Sequence, residues 1–117
     1  MEKRIITFAD IKQSEEIRAY IKQADISLAA LGFTEHSFAH VTKCAEVAGK
    51  LLDDLGYDAR QVELVKIAAF MHDIGNVVNR VNHAQSGALM AFRILDKMGL
   101  AYDETAMIIS AIGNHDE

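Results

Sequence analysis

"AAFMHDIGNVVNRVNHAQSGA", residues 68–88, decides the fold of this 117-residue chain. An apolar run ends in His72 and Asp73, Gly75 follows, and His83 opens the next helical pattern. Neighbours on a regular helix point about 100° apart, so His72 and Asp73 face one point only where a helix is ending. Gly75 supplies that irregularity. A helix C-terminus also carries partial negative charge, which favours a cation. An imidazole beside a carboxylate suits Mn, Fe, Ni, Co or Zn better than Ca or Mg. A lone His-Asp pair is more often a surface feature than a ligand pair, so the reading depends on its surroundings.

Those surroundings are helical. The apolar run belongs to a helix starting at Asp58, where "DARQ" is a capping-box pattern, and its broad apolar face from Val62 to Met71 places it centrally in the core. Downstream, "NHAQ" opens another helix with Asn82 as cap and Gln85 at the third position, and Gly99 stops it. Asp103 caps a last helix through "ETAMIISAIGNH". Upstream, a helix over 35–54 has Val41, Cys44, Val47, Ala48, Leu51, Leu52 and Leu55 as its expected buried stripe, with Gly56 suited to a left-handed C-cap. From Asp10, the residues Ile11, Ile17, Tyr20, Ile21, Ala24 and Leu28 fall at helical spacing, and Gly32 closes that pattern. "RIITF" (4–8) reads as an extended lead-in. The expectation is an all-α bundle of about five helices in one domain. Residues 1–33 would form the lead-in and first helix, and residues 34–117 the helices that carry the site.

Composition agrees. Half of the residues are apolar, a quarter are charged, and there is no proline, the residue that breaks helices. Seventeen acids against twelve bases give a formal charge of −5, which argues against non-specific nucleic-acid binding. A small phosphorylated substrate held at a metal stays compatible with that charge. Cys44 is the single cysteine, so no intrachain disulfide is available and a reducing cytoplasm is the expected compartment. No apolar run approaches 18 residues and "MEKRIITFAD" lacks a signal-peptide core, so no membrane partner is expected.

His40 near the start of its helix, His72, His83 and His115 put four of the five histidines at ends of expected helices, where a bundle can converge side chains on one point. With Asp73 and Asp116 beside them, the set reads as a metal site. Lys43, one turn after His40, is placed to neutralise a substrate phosphate. Asn76, Asn79 and Arg80 read as a polar loop, His36 and Glu35 as features of a helix start, and Cys44 as core.

These residues resemble the HD-domain metal-dependent phosphohydrolases, helical proteins with a spaced His…His-Asp…Asp ligand set. "HVTKCAEVAGKLLDDLG" (40–56) looks like their first-ligand helix, and "AAFMHDIGN" like the second and third ligands in the HDIG form. "HAQSGALMAFRIL" (83–95) is similar to the following segment of the two-metal branch, which includes the HD-GYP phosphodiesterases. "IGNHDE" (112–117) resembles that branch's "HHE" segment, with Asp116 where the second His would stand. No "GYP" follows, so a cyclic-dinucleotide substrate is not supported.

The resemblance implies hydrolysis of a phosphate ester or nucleotide by metal-activated water. His40, His72 and Asp73 would hold the main metal, His83 and His115 a second, with Asp73 bridging and Asp73 and Lys43 assisting the reaction. The family's final Asp lies on a later helix. Either Asp116 replaces it, or, as favoured here, the polypeptide continues past Glu117 into a helix that carries it. A di-iron oxygenase and a non-catalytic regulatory bundle stand as alternatives, and an oligomer is compatible with the sequence.

Overall fold

A computed structural model describes residues 5–30, 32, 38–78 and 82–114. Six α-helices follow in order, α1 (Phe8–Gln13), α2 (Glu15–Ala30), α3 (Phe38–Asp54), α4 (Ala59–Met71), α5 (His83–Met98) and α6 (Tyr102–Gly113), with a 3₁₀ turn at Ile74–Val77 between α4 and α5. The all-α expectation is met, and there is no strand among the described residues.

The expected first helix is two. Thr7 and Asp10 form a reciprocal capping box, so Asp10 is the third residue of α1 and not its cap. Ser14 then turns extended (φ −64°, ψ 120°) and its Oγ accepts the Ile17 N–H at 3.2 Å, starting α2 afresh. A serine followed by Glu15 and Glu16 is a helix-start signal that the unbroken apolar spacing had masked. Ile5, Ile6 and Thr7 form the non-helical lead-in, as expected. Ile6 is fully buried, and its carbonyl accepts a 2.6 Å bond from Arg60 Nη1. The same guanidinium binds both oxygens of Glu104 at 2.7 Å, tying the lead-in, α4 and α6 together. Glu63 Oε1 accepts the Phe8 N–H at 2.8 Å.

Phe70 of α4 is the centre of the core. Phe8 and Phe38 meet it edge-on with centroids 5.5 and 5.4 Å away. Ile17 and Ile21 of α2, Ile94 and Leu95 of α5, and Ile108 and Ile112 of α6 belong to the same buried cluster.

Helix α3 is rotated from the expected register. Val41, Ala45 and Gly49 are its buried face, whereas Val47 and Leu51 of the expected stripe, and Leu55 just beyond the helix, are exposed. The small residues win because they let α4 come close. A Cβ on Gly49 would lie 2.5 Å from Lys66 Cε and 2.8 Å from its Cγ. Gly56 (φ +89°) and Gly99 (φ +89°) take the left-handed C-terminal positions expected of them.

Of the three expected N-caps, one holds and two need correction. Asp58 Oδ1 does accept the Gln61 N–H at 2.8 Å. Asn82, however, is left-handed (φ +63°) and makes no side-chain cap bond, so "NHAQ" is not a working capping box. Asparagine suits that position because it tolerates left-handed backbone. The last helix is capped at Ala101, leaving Asp103 inside the first turn, where its charge still favours the helix dipole. Gly75, read as the place where the helix ends, lies in the turn beyond it, since α4 ends four residues earlier, at Met71.

Candidate metal centre

His40 projects from the first turn of α3, His72 is the C-terminal cap of α4, and Asp73 is the next residue. One ligand atom from each of the three lies within 4.8 Å of the others. The end of α4 produces this geometry. His72 keeps helical backbone (φ −61°, ψ −28°) while Asp73 departs from it (φ −104°, ψ 9°), so adjacent side chains turn toward one point, as the sequence implied.

The His72 ring is held in place. Its Nδ1–H donates to the Ala69 carbonyl at 2.5 Å, which turns Nε2 toward the site, 3.1 Å from Asp73 Oδ2. Burial opposes a charge on this ring, but the hydrogen bond and charge of Asp73, with the Ala69 carbonyl, outweigh it and raise the His72 pKa above its ordinary value. The His40 ring lies 6.3 Å from that of His72, centroid to centroid. Both donor types, two imidazoles and a carboxylate, suit a divalent transition ion, and the Nδ1 bond of His72 leaves Nε2 as the nitrogen such an ion would take in place of a proton.

His83 reaches the centre from the other side. It is 4 % exposed, and its Nε2 stands 3.2 Å from Asp73 Oδ1, so the two carboxylate oxygens face two histidines from different helices. Lys43 is exposed on the rim. His115 and Asp116, like Glu35, His36, Asn79 and Arg80, lie outside the described residues.

Two side chains differ from their sequence reading. Cys44 is half-buried rather than core, with Sγ 3.6 Å from His40 Nε2. Burial, with the negative Asp73 nearby, raises its pKa and keeps it a thiol at neutral pH. Asn76 is not part of a polar loop. It is 4 % exposed in the 3₁₀ turn, and its Nδ2 donates to the Asp73 carbonyl at 3.0 Å. A polar residue beside a glycine gives no sign of burial, so the sequence concealed it.

Gly75 has a role that the sequence did not reveal. A Cβ there would run into the His83 carbonyl oxygen and lie 2.5 Å from the Gly87 nitrogen. The turn and the start of α5 therefore touch backbone to backbone, and that contact sets His83 against Asp73.

A groove of about 750 Å³ opens beside the triad. Its polar end is His40, Lys43 and His72, and Val47, Leu51 and Val65 line its apolar wall. The α3 residues expected in the core thus face this groove. No helix among the described residues is long and apolar enough to cross a membrane.

Compared with known proteins, the chain is 25% identical over 132 residues to an uncharacterized protein of Methanocaldococcus jannaschii. That match covers 94% of this chain and 51% of the relative, so the chain spans about half of the relative's length. No solved structure matches it. The sequence profile of the HD domain matches residues 37–117, a span that takes in α3 to α6 and every side chain gathered at the triad. HD domains are commonly metal-dependent phosphohydrolases, and the match covers more than half of the chain. This protein belongs to the HD domain family.

Proposed function

We propose that this protein is a metal-dependent hydrolase of phosphate esters, nucleotides among them, with His40, His72 and Asp73 as ligands of a Mn, Fe, Ni, Co or Zn ion. The convergence of three ligand atoms within 4.8 Å, one of them on a histidine whose ring is already oriented by the Ala69 carbonyl, carries this reading. A bound divalent ion supplies hydroxide from water at neutral pH and polarises a phosphoryl oxygen.

The chain's own groups do the rest. Asp73, with its carboxylate unused in capping, orients the attacking water by accepting its hydrogen bond. His83 steadies that carboxylate from behind, or would join His115 and Asp73 in holding a second ion. Lys43, on the rim, offsets charge gathering on the phosphoryl group. The fourth ligand position falls to Asp116 or to a carboxylate from further polypeptide.

Elemental analysis of protein purified without chelator tests the reading, together with hydrolysis of a phosphomonoester and phosphodiester panel. About one to two equivalents of transition metal are expected. His72→Ala and Asp73→Ala should each abolish tight binding, and Lys43→Ala should slow turnover with metal content unchanged. Metal retained in both ligand variants would overturn the assignment. Oxygen consumption in place of phosphate release would make the protein an oxygenase, and absence of metal uptake a non-catalytic bundle.

A further inference from the structure

Resting on the metal centre just described, we propose that Asn76 is a positioning residue for Asp73. Its amide holds the turn so that the Asp73 carboxylate is presented to the site instead of capping its own backbone.

An aspartate at the start of a tight turn ordinarily spends its carboxylate on the N–H two or three residues on, because that bond is local and satisfies an orphan donor. Asp73 occupies such a position, before the 3₁₀ turn, yet makes no side-chain cap bond. Its carbonyl takes the load. The Asn76 N–H and the Asn76 Nδ2 both donate to Asp73 O, each at 3.0 Å. Two donors from one residue on one oxygen fix the peptide plane that follows Asp73 and hence its unusual backbone (φ −104°, ψ 9°). With that backbone set, Oδ1 and Oδ2 fall 3.2 and 3.1 Å from His83 and His72.

The residue is kept at a disadvantage. Asn76 is 4 % exposed and its Oδ1 is buried with no hydrogen-bond donor among the described residues. An orphaned buried acceptor destabilises a fold, and alanine at this position would avoid it. A residue needed only to fill the turn has no reason to carry that burden. One that supplies a second donor to the Asp73 carbonyl does. Groups that orient ligands in this way affect metal affinity about 10- to 100-fold.

Calorimetric titration with Co²⁺ alone, and the visible d–d spectrum of the loaded protein, separate positioning from mere folding. Asn76→Ala and Asn76→Asp should each weaken Co²⁺ binding about 10- to 100-fold and alter the spectrum, the latter because a carboxylate oxygen replaces the donor. The urea midpoint of metal-free Asn76→Ala should stay near wild type, since the lost bond is offset by removal of the orphaned oxygen. Asn76→Ser should recover most of the affinity, because a serine hydroxyl can donate to the carbonyl three residues back. Wild-type affinity and spectrum in Asn76→Ala would overturn the proposal. If that variant does not fold, wild-type Co²⁺ affinity in Asn76→Asp overturns it equally. A wild-type chain that takes up no Co²⁺ refutes the metal centre itself, a result distinct from either.

Discussion

A hydrogen atom is all that Gly75 has room for. The atoms a methyl would strike, the His83 carbonyl oxygen and the Gly87 nitrogen, are backbone and cannot swing aside. Gly87 repeats the constraint from the other side, since its own Cβ would stand 3.2 Å from the Gly75 nitrogen. Gly75→Ala should therefore destabilise the protein by about 3 kcal/mol, the upper range for overpacking, and should move His83 away from Asp73. Urea unfolding and metal titration together check this. Gly56→Ala is the contrast. It meets nothing within 4 Å and suffers only from its left-handed φ of +89°, so about 1 kcal/mol is expected, with metal affinity intact. The sequence marked Gly75 as special but suggested a helix stop. The sequence records that a small residue stands there, whereas the backbone passing beside it belongs to the next helix, whose approach the sequence does not spell out. His40, His72 and Asp73 were legible because their chemistry is in their identities. Asn76 was not, because its role depends on which atom it faces.

At the scale of elements, apolar periodicity located the helices but misjudged the direction in which α3 faces. Large apolar side chains on one stripe suggested a buried surface, yet Ala45 and Gly49 form it, since small residues permit close helix packing. The two registers predict opposite outcomes. Val41→Ala, at 2 % exposure, should cost about 2 kcal/mol. Leu51→Ala, at 57 % exposure, should stay within about 0.5 kcal/mol of wild type. Urea midpoints of the two variants decide between them. The break at Ser14 was readable from its own capping chemistry and was hidden by the longer pattern running through it.

The clamp joining α4 to α6 gives a pH signature. The Arg60 hydrogen bond and charge, against some burial, hold the Glu104 pKa below its ordinary value. A depressed folded pKa means that the stabilisation is complete above the unfolded value, near 4.5, and is lost as pH falls through the lower folded value. With side chains 28 and 21 % exposed, the pair is partly screened, so Glu104→Gln should remove about 1 kcal/mol at pH 7. Thermal unfolding of the two proteins at pH 7 and pH 3 checks the sign: the gap between them should shrink in acid.

Across the whole molecule, the candidate ligand set gathers residues from α3 and the end of α4, with His83 of α5 pressed against Asp73. An ion binding only the folded arrangement stabilises it by mass action, about 2.7 kcal/mol at a hundredfold excess over Kd. Mn²⁺ or Co²⁺ should therefore raise Tm, EDTA should reverse the rise, and His40→Ala should abolish it while unfolding cooperatively on its own. The groove adds an electrical consequence. Lys43 stands where water meets a wall of Val47 and Leu51. Exposed to bulk water, its charge acts on a neighbour at 4 Å with only about 1 kcal/mol, whereas at the effective dielectric of a covered protein surface the same pair is worth about 4. Anything laid along that wall displaces water from one side of the lysine. Under the proposed function, the pull of this charge on a phosphoryl group would depend less on the ammonium than on how much of the groove is dry when an ester arrives.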